Sequence, residues 1–119
     1  MRTILLAVVF AFAASAAFAA DDLMANFYGN TVVGTGGVAE THTYFNSDHT
    51  FDMKIPIFGM DFKGMWKIEG ENLCRTFDTP PPGVTNPLCS PVAARNIGDT
   101  WTVTVNGQSR TATFVKGIQ

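Results

Sequence analysis

Between residues 62 and 77, apolar and polar side chains alternate on either side of a Gly-Glu turn. This pattern commits the chain to antiparallel sheet. Phe62, Gly64, Trp66 and Ile68 alternate with Lys63, Met65, Lys67 and Glu69, the period of two of a strand with one buried face. Gly70-Glu71 forms a two-residue hairpin loop, with Gly in the left-handed first position. That loop sets Ile68 opposite Leu73 and Trp66 opposite Arg75, with Phe77 further along the same side. Cys74 and Thr76 then point the other way. A loop one residue longer would reverse every facing on the second strand.

A second hairpin closes the sequence. Residues 100–105 alternate cleanly, and Asn106-Gly107 is the strongest hairpin signal present. A two-residue loop places Val105 opposite Gln108, Val103 opposite Arg110 and Trp101 opposite Ala112. The buried face then holds Trp101, Val103, Val105, Ala112 and Phe114. Further strands are expected at residues 31–33, 40–45, 50–55 and 92–97, with Tyr44, Phe51, Met53 and Ile55 facing the core. The link at residues 46–49 is turn-forming, and His49 takes its left-handed position. A short helix is expected over residues 21–28, capped by Asp21 or Asp22 and ended by Gly29. Gly34-Thr35-Gly36-Gly37 lacks the Lys-Ser/Thr ending of a phosphate loop and reads as a plain turn.

Two segments resist regular pairing. Pro56 and Gly59 interrupt an apolar stretch holding Ile57, Phe58 and Met60. It is expected to fold over an open end of the sheet, since Phe and Met are mostly buried. The alternative is an exposed apolar loop, a feature that often marks a binding site. Residues 78–91 carry five of the six prolines and read as a long, stiff, partly polyproline II loop.

The first 20 residues have the form of a secretory signal peptide. Arg2 supplies the positive end, residues 4–18 an apolar run, and Ala17-Phe18-Ala19 the small residues at a cleavage site. The run is short for a membrane-spanning helix, so no membrane span is expected after cleavage. Residues 21–119 then form a single β-domain, periplasmic or secreted. Without Arg2 it carries seven basic and ten acidic residues and no basic run, which argues against nucleic acid as a partner. Two cysteines in an exported chain predict a disulfide between Cys74 and Cys89.

Residues 44–51, Tyr-Phe-Asn-Ser-Asp-His-Thr-Phe, resemble the Y-x-N-x-D-G-T-F hairpin of small secreted bacterial lipocalin-like β-domains, with His49 in place of the glycine. Gly64, Trp66, Ile68, Gly70, Leu73 and Cys74 resemble the G-x-W strand that follows it there. The resemblance covers residues 40–77. It implies an all-β antiparallel meander curved into a half-barrel or small lipocalin-like barrel, and it implies no enzyme. In calycins the G-x-W element sits on the first strand; here it is central, so that topology does not carry over.

No catalytic residues stand out. His42 and His49 are the only histidines, no G-x-S-x-G is present, and both cysteines are assigned to the disulfide. Glu40, His42, Asp48 and His49 share a hairpin, but their spacing suits an exposed pair better than a metal site. No cofactor is implied. The candidate ligand-binding residues are Trp66, Arg75, Trp101 and Arg110, with Phe58 and Met60. An arginine inside a barrel mouth would pair with a carboxylate; at a sheet edge it would stack on a tryptophan with its head in water. The leading expectation is a non-enzymatic protein-interaction module. The alternative is a carrier of a small amphipathic or hydrophobic ligand in the barrel.

Overall fold

A computed structural model describes residues 23–119; the expected signal peptide lies outside them. Eight strands follow one another: β1 (Thr31–Thr35), β2 (Thr41–Phe45), β3 (Thr50–Ile55), β4 (Met60–Glu69), β5 (Asn72–Phe77), β6 (Leu88–Pro91), β7 (Thr100–Val105) and β8 (Gln108–Val115). They form one antiparallel sheet in the order β6-β5-β4-β3-β2-β1-β8-β7. Consecutive strands pair except β6 and β7, and β8 returns to pair with β1. The free edges, β6 and β7, approach each other without a hydrogen-bonded ladder. The result is a nearly closed barrel with one open seam.

The registers follow from the turns. Gly70 has φ 60°, and Asn106 and Gly107 have φ 51° and 76°, the backbone that two-residue hairpins require. Ile68 pairs with Leu73 and Trp66 with Arg75. Trp101 pairs with Ala112, Val103 with Arg110 and Val105 with Gln108. His49 has φ 70°.

Four expectations need correction. First, the described part of the segment before β1 is not a regular helix over residues 21–28: Leu23 and Met24 are helical and lead into a 3-10 turn, Ala25–Phe27. It has no side-chain cap; its order comes from burying Met24 and Phe27 in the barrel end. Second, Tyr44 faces outward, because Phe45 is the residue that pairs with Phe51. Tyr44 is buried all the same: its hydroxyl donates to the Gln119 carbonyl at 2.6 Å. Beside it, Thr31 Oγ1 donates to Gly117 O and accepts from Gln119 N, so residues 117–119 cover the outer wall there.

Third, the strand after the proline-rich loop is Leu88–Pro91, not residues 92–97. Cys89 sits directly opposite Cys74 and is bonded to it, which fixes these four residues against β5. Pro91 is tolerated because β6 is an edge. The loop before it is pinned by Asn86, whose side chain accepts from Phe77 N at 2.8 Å and donates to Phe77 O at 3.0 Å, extending the β5 ladder. Fourth, the Ile57–Phe58–Met60 stretch does not bury itself: Ile57 is 77% exposed and Phe58 56%. Its 3-10 turn, Pro56–Phe58, stands on the rim of the barrel.

One barrel end is packed solid by Met24, Phe27, Phe45, Phe51, Trp66, Phe77 and Phe114. Side chains such as these contribute about 2 kcal/mol each when fully buried. Gly64 makes this packing possible. A Cβ there would strike the Thr76 carbonyl oxygen and lie 2.9 Å from both Phe51 Cε1 and Phe77 Cα, where the Phe51 and Phe77 rings meet edge to face at 5.0 Å. Gly64→Ala is expected to lower stability by about 2–3 kcal/mol through overpacking. Urea unfolding checks this; a change within 0.5 kcal/mol (the ordinary surface value) would contradict it.

Candidate functional site

The other end is open, and inside it lies a cavity of about 450 Å³. That is within the usual range of small-molecule sites. The strand ends explain it. Inward residues of the packed half are large and aromatic, whereas Val32, Gly34, Thr41 and Thr43 on the neighbouring strands leave space. Met53, Phe62, Leu73, Leu88 and Trp101 form apolar walls, and Val38, Phe58, Met60, Pro81 and Pro82 form the rim. The cavity also reaches the seam, where it meets Ser90, Pro91, Val103 and Thr104.

Charge is strictly sorted between inside and outside. Arg75, Arg95 and Arg110, the only arginines among the described residues, all line the cavity. Lys54, Lys63, Lys67 and Lys116 do not, and among the described residues no Asp or Glu does. The interior is thus apolar and cationic, without a protein counter-charge.

Arg75 projects inward from β5. Its guanidinium carbon stands 5.6 Å from the Phe77 ring centre and 5.7 Å from that of Phe51. Among the described residues it has no hydrogen-bond or ion-pair partner. It is half-buried and lines the cavity. Desolvation alone pushes its pKa down to about 10, because a charge in an apolar setting is disfavoured when no acid answers it.

Arg110 lies nearer the mouth. It packs on the β1–β2 turn so closely that a Cβ on Gly37 would be 2.7 Å from its guanidinium carbon, so a larger residue there would displace the arginine's flexible end. Its Nε is buried with no hydrogen-bond partner. Arg95, on the connection from β6 to β7, lies 4.2 Å above the Trp101 ring, a cation–π contact. Sequence reasoning passed over Arg95 because its segment read as a strand. The signal was compositional: it is the remaining arginine of the domain.

Of the residues singled out in the sequence, Arg75, Trp101, Arg110, Phe58 and Met60 share this one cavity. Trp66 does not belong to it. Its ring is buried, its Nε1 donates to Asn46 O at 3.0 Å, and His49 stacks on it at 4.1 Å. Its role is structural, holding the β2–β3 turn against β4.

A shallower hollow on the outer wall is lined by His42, Tyr44, Lys54 and Asp61 among others. His42 Nε2 lies 2.6 Å from Glu40 Oε2, and the Tyr44 hydroxyl is engaged by Gln119. No Ser, Thr or Cys lines that hollow. Among the described residues, no group of three His, Cys, Asp or Glu is placed to hold a metal ion, and no helix is long and apolar enough to cross a membrane.

Fold and lumen together define a class: a small, nearly closed antiparallel barrel with an apolar, arginine-bearing interior. No family model matches the chain, and neither a curated protein nor a solved structure matches it. Function is therefore argued from the site.

Proposed function

We propose that the protein binds and carries a small amphipathic or hydrophobic molecule inside its barrel, without catalysing a reaction, in the periplasm or outside the cell. Kinship with secreted lipocalin-like domains is part of this proposal. The observation that supports it most is the open cavity of about 450 Å³, walled by Phe, Met, Leu and Trp side chains. An apolar cavity of this size offers packing surface for a small ligand. The disulfide Cys74–Cys89 is consistent with an oxidising compartment.

Binding of a neutral fluorescent probe, N-phenyl-1-naphthylamine, tests the reading. Saturable fluorescence enhancement is expected, with affinity reduced at least tenfold by Val103→Trp, which fills the lumen from β7. Enhancement that is absent, or unchanged in that variant, would contradict it.

A second reading, contact with a protein partner, draws on the exposed rim. Val38, Ile57, Phe58 and Met60 are all about half to fully exposed, and apolar clusters of this kind are interaction surfaces. Three of the four also line the cavity, so the same residues serve equally as a ligand portal. Retention of a partner that Ile57→Ser with Phe58→Ser abolishes, in protein that takes up no probe, would favour this second reading.

A further inference from the structure

The cavity's walls say which ligands it accepts, and the sorting of charge says which end of them goes in first. We propose that the ligand is an amphiphile with one acidic head, in the simplest case a medium-chain carboxylate, seated head inward on Arg75 with its tail toward the rim at Val38, Phe58 and Met60. This rests on the carrier reading above and deepens it.

Three observations converge. All the arginines of the domain line the lumen, and none of the acids among the described residues does. Random placement does not explain that arrangement. Charged side chains are rarely buried unless paired, yet Arg75, half-buried beside the Phe51 and Phe77 rings, has no hydrogen-bond or ion-pair partner among the described residues. A ligand acid would supply the missing partner, and the planar guanidinium fork matches a carboxylate in two parallel hydrogen bonds.

Position gives the orientation. The rings against Arg75, Phe51 and Phe77, belong to the packed end of the barrel. The apolar rim stands at the opposite end, on the β1–β2 and β3–β4 connections. A head on Arg75 therefore sends its tail past Met53 and Phe62 toward the opening. Arg110, beside Gly37 at that opening, carries the positive charge that draws an anion in.

The test is displacement of N-phenyl-1-naphthylamine from the purified protein by laurate, dodecanol and dodecyltrimethylammonium, each below its micellar concentration. Laurate is expected to bind about 10- to 100-fold more tightly than dodecanol, the value of a charge-assisted hydrogen-bonded pair. Arg75→Met is expected to remove that preference, with a far-ultraviolet circular dichroism spectrum and a cooperative thermal melt showing that the barrel is folded. Arg110→Met is expected to keep the preference and slow laurate association at low salt. Equal affinities for laurate and dodecanol in the wild type would overturn the acidic-head inference and leave the carrier reading standing. A preference that survives Arg75→Met would overturn Arg75 as the seat of the head. Absence of probe binding altogether would sink the carrier reading itself, and this inference with it.

Discussion

Replacing Cys74 and Cys89 together by alanine is expected to lower stability by about 3 kcal/mol, the chain-entropy value for a loop of this length. The two residues are 15 apart in sequence, with Cα atoms 4.0 Å apart on paired strands. The strand they secure has little else. β6 is only four residues long, ends in Pro91 and lies at a free edge of the sheet. The preceding loop is anchored chiefly by Asn86 on Phe77 and by Thr85 Oγ1 reaching Asn106 Oδ1 at 3.3 Å. Without the disulfide, β6 frays, the seam widens, and Leu88 and Ser90 leave the cavity wall. Urea unfolding of the variant and of reduced wild type measures the loss. Proteolysis should then cut first within residues 78–87. A loss under 1 kcal/mol would show that pairing with β5 alone holds β6.

Arg75→Met is expected to move stability the other way, raising it by about 2 kcal/mol in ligand-free protein, since it replaces a half-buried charge with no partner among the described residues by an apolar side chain. The pH dependence follows from the lowered pKa. Folding holds Arg75 at about 10, below its value in the unfolded chain, so the charged form opposes folding. That penalty is complete below pH 10 and is relieved as pH rises from there toward the unfolded value. The variant's advantage should therefore be constant at neutral pH and shrink above pH 10. With laurate present the order should reverse, because ligand binding stabilises only the wild type strongly. Thermal melts at neutral and alkaline pH, with and without laurate, check all three. An Arg75→Met protein less stable than wild type without ligand would mean that the guanidinium supports the fold. Stability sacrificed at a functional position is a familiar trade.

Much of this architecture is legible in the sequence because tight turns are local. Gly70-Glu71 and Asn106-Gly107 each fix a register, and each register places an arginine inside: Arg75 opposite Trp66 and Arg110 opposite Val103. The errors arise where distant contacts decide. Tyr44 is buried by residues 117–119, some 75 positions away, so its burial says nothing of which face it occupies. The residues before β1 carry a helical stripe, yet Met24 and Phe27 serve as a plug for the barrel end. β6 is recruited by its disulfide rather than by β-propensity, which favoured residues 92–97. Arg95 reaches the cavity only because β6 and β7 come together around the barrel. Phe58 and Met60, apolar enough to be assigned to the core, stand exposed at the mouth of the cavity.

Native mass spectrometry of gently purified protein, before and after incubation with laurate, tests the central claim that the barrel holds a small molecule. The account predicts a noncovalent adduct of one laurate per chain, lost on mild activation and absent from Val103→Trp. Bare protein under both conditions, or the same adduct on Val103→Trp, would contradict it.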